Sequence, residues 1–129
     1  CMTIVLHQVL RTYSCAGHPP PVMARSDGSL QILDHRGPSI GFGAENPIGQ
    51  QTIQMQTGDK ILLYTDGLLE SRNIKDNFYG KSRFYDVLKK YHHEPIRKIV
   101  DAVYANVNEF RHQAKPDDDI SILGVEYCG

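Results

Sequence analysis

Gly58-Asp59-Lys60-Ile61-Leu62-Leu63-Tyr64-Thr65-Asp66-Gly67-Leu68 is the stretch whose reading decides how this chain folds. The run from Lys60 to Thr65 is apolar without alternation, and Gly58-Asp59 opens it with a turn signal, so it reads as a strand buried on both faces. Asp66 then sits where that strand leaves the sheet. Near the far end of the chain, Pro116-Asp117-Asp118-Asp119-Ile120-Ser121-Ile122 leads into a second run, Ile120 to Tyr127, which places Asp118 where a second strand enters. Antiparallel pairing of the two strands would bring those ends side by side. Converging ionised carboxylates repel unless a cation lies between them, and hard divalent ions such as Mg²⁺ or Mn²⁺ are the usual partners of such oxygen ligands. A metal site is one reading; an ordinary Asp-Gly turn beside a solvated acidic loop is the other, and the two segments taken alone leave both open.

Toward the N-terminus, Met2 to Leu6 already has strand composition, so the reading expects further chain before it. Arg11 to Gly17 follows with Thr and Tyr, and the short link between the two runs suggests a hairpin. His18-Pro19-Pro20-Pro21 stops it. Val22 to Arg25 and Ser29 to Leu33 flank Asp27-Gly28, the strongest short-range hairpin signal present. Asp34 to Gln50, rich in Gly and Pro, reads as a long loop of the kind that is usually functional or mobile. Thr52 to Gln56 alternates, as expected of a strand with one face in water.

Beyond Asp66 the pattern turns helical. Lys81 to Tyr91 carries Phe84, Leu88 and Tyr91 at helical spacing, and Pro95 is placed to begin a longer helix. Its stripe, Ile96, Ile99, Val100, Val103, Tyr104, Val107 and Phe110, calls for a sheet to cover, while Arg97, Lys98, Asp101, Asn108 and Glu109 take the other side. Tyr85, Tyr91 and Tyr104 are assigned to helix packing. The expected architecture is α+β: a meander of strands forming an antiparallel sheet, two helices, and a last strand returning to the sheet.

With 129 residues, 40% of them hydrophobic, the chain suffices for one domain with a core and not for two. Its net charge of −1, from 14 basic and 15 acidic residues, argues against a nucleic-acid groove or attraction to anionic lipid. No apolar run is long enough to span a bilayer and no signal-like segment opens the chain, so no membrane partner is expected. Cys1, Cys15 and Cys128 are an odd number without C-x-x-C spacing, which fits a reducing cytoplasm rather than a disulfide framework or a zinc site. No G-x-S-x-G segment supports a serine nucleophile and no cysteine has a motif partner. His92-His93, without other ligand-type residues nearby in sequence, reads as a surface pair.

In order and spacing, several segments resemble the metal-dependent protein serine/threonine phosphatases of the PP2C (PPM) type, in the bacterial branch similar to SpoIIE and RsbU. Ala16-Gly17-His18-Pro19-Pro20-Pro21 is similar to that branch's A-G-H-P-P-P, and Gly58 through Glu70 to its G-D-x-L-L-L-Y-T-D-G-x-x-E. Phe78-Tyr79-Gly80 lies near its F-G, and Pro116 to Ser121 resembles its closing D-D-x-T. The resemblance implies a PP2C-like α-β-β-α sandwich, present in part, with residues 1–129 forming the C-terminal part of the phosphatase domain. It implies Asp66 and Asp118 as metal-binding aspartates, Gly67 as the residue allowing close backbone approach, Asp119 as their neighbour, and Asp117 as the competing choice within its run. It also implies two Mg²⁺ or Mn²⁺ ions about 4 Å apart that activate a water for attack on a phosphomonoester. The partners it implies are a phosphoserine or phosphothreonine protein, such as an anti-sigma-factor antagonist, and an upstream sensory or receiver domain in bacterial stress or sporulation signalling.

The family's opening G-D-x-x-D and D-x-x-G-H-G segments do not occur here. Two metals held by Asp66 and Asp118 alone would be under-ligated, so the chain by itself is expected to be inactive. A pseudo-phosphatase that keeps the scaffold as a protein-binding module is the alternative. His18 either leans over the phosphate or orders its loop, with Pro19 favouring the latter. Glu70 and Arg72 either contact metal water or phosphate or belong to a solvated turn.

Overall fold

The computed structural model describes residues 2–7, 10–16, 18–34, 36–37, 50–112, 114 and 118–129. Most of the Gly- and Pro-rich stretch between Asp34 and Gln50 therefore lies outside the described residues. The central strand is the one expected, Lys60–Tyr64, labelled β7 after the six strands before it: β1 (Met2–His7), β2 (Leu10–Ala16), β3 (Val22–Ala24), β4 (Leu30–Ile32), β5 (Arg36–Gly37) and β6 (Gln51–Gln54). After it come α1 (Asp66–Leu69), α2 (Gly80–Tyr91), α3 (Ile96–Arg111) and β8 (Ile122–Glu126). β7 lies between β3 and β8, antiparallel to both, in a sheet ordered β4-β3-β7-β8. Alternate side chains of a strand leave opposite faces. Leu62 and Tyr64 accordingly enter a core with Phe84, Leu88, Ile99, Val103 and Val107 of the helices, while Ile61 enters a second core with Tyr13, Met23, Ile53 and Met55. Its uniform hydrophobicity is the signature of a strand with a core on each side.

The second core is closed by another sheet. There β1 pairs antiparallel with β2 from Met2↔Cys15 to His7↔Leu10, and β6 runs antiparallel along β2. β5 pairs with β2 in parallel through Cys15↔Arg36. The α+β class and the partial sandwich hold, with layers in the order sheet, sheet, helices. The single antiparallel meander with two helices is corrected in detail: the strands divide between two sheets, one pairing is parallel, and a third helix, a single turn, begins at Asp66. Strand composition reports burial and not partner choice, which is why the division was not legible.

The α3 stripe is narrower than expected. Ile99, Val103 and Val107 are fully buried, but Tyr104 is 52% exposed. One residue past Val103 turns about 100° around the helix, enough to carry its ring off the covered face. Tyr85 and Tyr91 pack against the helix core as assigned. Gly124 of β8 lets α3 lie directly on the strand: a Cβ there would stand 2.4 Å from Ile96 Cγ1 and 2.6 Å from its Cδ1. Pro95 caps α3 rather than occupying its first turn, and it brings no side-chain acceptor. Glu126 supplies one from the neighbouring strand, accepting the Ile96 N–H at 2.9 Å and placing a carboxylate at the positive end of the helix.

Beside it, Lys60 is only 3% exposed, and its ammonium donates to the carbonyls of Gly58 and His92, both at 2.9 Å. It also lies 3.6 Å from Glu126 Oε1. Asp59 is buried too, accepting the Gln56 and Ser26 N–H groups at 2.9 Å and Arg25 Nη1 at 2.8 Å. Burial pushes its carboxyl up, but those two backbone bonds and the guanidinium prevail and hold it below the ordinary value of 3.8. What reads as a turn signal, Gly58-Asp59, is thus a buried ionic fastening between the β3–β4 hairpin and the start of β7.

Candidate metal-facing site at the β7–β8 end

The opposite end of the same strand pair carries the acidic residues. Tyr64↔Ile122 is the last registered pair of β7 and β8. Thr65 extends the pairing beyond it: its N–H donates to Ser121 O at 3.1 Å, its hydroxyl donates to Asp119 O at 3.1 Å, and its own Oγ1 accepts the Ser121 N–H at 3.0 Å. The segments holding Asp66 and Asp118 are thereby drawn together. Their separation is set by Gly67, where a Cβ would lie 2.6 Å from Asp119 O and 3.4 Å from Asp118 Cβ. Any side chain at 67 would collide with backbone, so glycine is required for the close approach.

Asp66 opens α1, and its Oδ1 accepts the Gly67 N–H at 3.1 Å. Asp118 does the same for the Asp119 N–H at 2.7 Å. Both aspartates are exposed, and among the described residues no ion pair engages either. Asp118 and Gly67 line a cavity of about 640 Å³ with Glu70, Ser71, Arg72, Asp76 and Phe78. Asp66 adjoins it through Gly67. Asp119 takes part through its carbonyl, while Asp117 lies outside the described residues. His18 turns its Nδ1 to Pro19 O at 2.8 Å, the loop-ordering arrangement. The proline segment after it reaches the same end of the sheet, since the buried Tyr64 hydroxyl donates to Pro20 O at 3.1 Å. Thr65, Ser121 and Phe78 were not singled out from sequence; a Thr between a buried strand and an Asp-Gly pair is the one signal that pointed to the first.

The donor chemistry fits a hard divalent cation, since the carboxylates offer anionic oxygen with no thiolate or imidazole among them. The number falls short: among the described residues no group of three or more His, Cys, Asp or Glu side chains converges. His92 and His93 remain a surface pair, His92 Nδ1 meeting Lys89 O at 2.7 Å. Cys15 and Cys128 are free thiols. No helix among the described residues is long and apolar enough to cross a membrane.

The sequence pattern of the family described as Stage II sporulation protein E (SpoIIE) matches residues 1–127. The chain belongs to the SpoIIE family. Membership places it among PP2C-type, RsbU-like phosphatase domains. Protein IcfG of Synechocystis sp. is 27% identical over 114 residues, covering 88% of this chain and 18% of that protein. Phosphoserine phosphatase RsbP of Bacillus subtilis is 24% identical over 112 residues, covering 86% of this chain and 26% of RsbP. The chain thus spans about a quarter or less of these two SpoIIE-family relatives. The fold agrees with the SiaA-PP2C domain of Pseudomonas aeruginosa at a TM-score of 0.78 and 23% identity, over 93% of this chain and 47% of that one.

Proposed function

We propose that residues 1–129 form the C-terminal part of a phosphatase domain that removes phosphate from seryl or threonyl residues of a protein, with Asp66, Gly67 and Asp118 forming part of its metal side. The observation that carries this reading is the Gly67 contact, which brings the segments of Asp66 and Asp118 together beside a cavity that Asp118 lines, with no ion pair on either aspartate among the described residues. Family membership supports the same chemistry. Mg²⁺ or Mn²⁺, when bound, would supply the Lewis acidity that activates water and offsets phosphoryl charge. The chain's own part is to hold two carboxylates at a spacing fixed by backbone, with Thr65 and Ser121 keeping the two segments in register and Glu70 on the cavity wall. Two aspartates leave most positions of a near-octahedral ion to water or to further oxygen ligands, and on this reading the parent protein supplies the latter. By the same reading the substrate is a phosphoprotein of a signalling pathway, such as an anti-sigma-factor antagonist, and a sensory or receiver domain governs the activity.

The test compares the 129-residue chain with its parent in Mn²⁺-dependent hydrolysis of p-nitrophenyl phosphate and of a phosphoprotein, alongside Mn²⁺ binding by calorimetry. The chain alone should bind Mn²⁺ weakly and turn over neither probe. The parent should do both. The ligand shortfall among the described residues favours one second reading, a pseudo-phosphatase acting as a protein-binding module. A parent with intact aspartates that is inactive in this assay favours it.

A further inference from the structure

The segment from Ser71 to Tyr79 leaves α1 and returns to α2 as a self-bonded hairpin. Arg72 and Phe78 face each other across an antiparallel bridge, Asn73 Oδ1 accepts the N–H groups of Lys75 and Asn77 at 3.0 Å, and the Tyr79 N–H donates to Ser71 O at 2.8 Å. Its base is fastened to the candidate site and to the helix layer. The buried Ser71 hydroxyl donates to Gly67 O at 2.7 Å, and the Tyr79 hydroxyl donates to Asn106 Oδ1 on α3 at 2.7 Å.

Its upper part behaves differently. Ile74 is 67% exposed and Phe78 51%, and Phe78 lines the cavity that also holds Gly67 and Asp118. Ile74 is a single exposed apolar residue of the ordinary kind, whereas the Phe78 ring is an apolar surface on the cavity itself. Arg72 extends it. Its guanidinium lies 4.4 Å from the Phe78 ring centroid, and its Nη1 is 2.6 Å from Asp76. With its charge offset by Asp76 and its plane against a ring, Arg72 is poorly placed as counter-charge to a phosphoryl dianion and well suited as flat, weakly hydrated contact area.

We infer that Arg72 and Phe78 form a ledge that positions the protein part of a phosphoprotein substrate, by contact with an apolar side chain next to the phosphorylated residue. The inference rests on the phosphatase reading above and specifies its substrate: the phosphorylated residue enters beside Asp118 and Gly67 while its neighbour lies on the ledge. Continuity between ledge and cavity through Phe78 and Arg72 selects this occupant over an unrelated partner.

The test uses the parent protein and two phosphoseryl peptides that differ only in carrying leucine or glycine on both sides of the phosphoserine. The ratio of kcat/KM for the leucine over the glycine peptide should be about tenfold, carried by KM, as one apolar contact provides. Phe78→Ser and Arg72→Ser should bring that ratio to about one, and Phe78→Leu should restore most of it. Because both peptides meet the same protein, a general loss of folding or turnover cancels in the ratio. A wild-type ratio near one, or a ratio that survives both serine variants, overturns the ledge while leaving hydrolysis itself intact. Peptide binding in EDTA, read by fluorescence anisotropy, separates the two readings. A parent that hydrolyses neither peptide with Mn²⁺, yet prefers the leucine peptide in binding and loses that preference in Phe78→Ser, keeps the ledge and defeats the phosphatase.

Discussion

The two ends of the β7–β8 pair treat charge in opposite ways. At the Lys60 end every buried charge has a protein partner: Lys60 meets two carbonyls and Glu126, Glu126 meets the N-terminus of α3, and Asp59 meets Arg25 and two backbone N–H groups. At the Asp66 end two carboxylates stand exposed on segments pressed together at Gly67, and no ion pair among the described residues engages them. Identical residue types therefore hold the fold at one end and face outward at the other. The difference lies in whether the surrounding backbone supplies compensation, and the residue type alone does not reveal it.

The largest expected effect tests the layer both ends depend on. Val103→Asp places an unpaired charge in the helix core, where Val103 is fully buried, and should destabilise by about 4 kcal/mol or more, enough to unfold the domain. Denaturant melts would show it, and an equally stable variant would mean that the stripe faces water. Next, Asp66→Asn or Asp118→Asn in the parent should lower Mn²⁺-dependent turnover by about 100-fold or more, about 2.7 kcal/mol, while leaving the melting temperature intact. A loss of stability instead would make the two ends alike.

Glu126→Ala tests the converse. It should cost about 2 kcal/mol, because it removes the α3 cap and leaves Lys60 buried with one partner fewer, without the loss of Mn²⁺-dependent turnover expected at the other end. The smallest effect is confined to acid. With its folded-state pKa held below 3.8, Asp59 contributes stability that is fully present above the unfolded value and disappears as pH falls through the folded one. Urea midpoints measured from about pH 6 to about pH 3 should therefore fall on the acid side, and less steeply in Asp59→Asn. Equal slopes would show that Asp59 is not the ionised member of its network.

Local pattern carried much of this fold. The β3–β4 hairpin follows from Asp27-Gly28, α2 and α3 from their apolar spacing, and β7 from its unbroken hydrophobicity. What stayed hidden was non-local: the choice of β2 as partner for both β5 and β6, and the buried ionic roles of Asp59 and Lys60, which read as turn and strand edge. At the candidate site, Asp66 and Asp118 stood out because apolar runs and turn signals locate strand ends, and Gly67 through the resemblance to PP2C-type phosphatases. Thr65 and Phe78 did not, since the former's part depends on a partner 54 residues away and the latter's on how a loop folds back.

The Gly67 contact makes the spacing of the two segments that carry the aspartates a property of the main chain. Side chains adapt by changing rotamer, and a gap defined by them widens or narrows with every neighbour. A gap defined by a missing carbon between two backbones has a single setting. Inserting one methyl there, as in Gly67→Ala, acts as a shim 2.6 Å from Asp119 O, and it would have to part the strands before it could touch the chemistry.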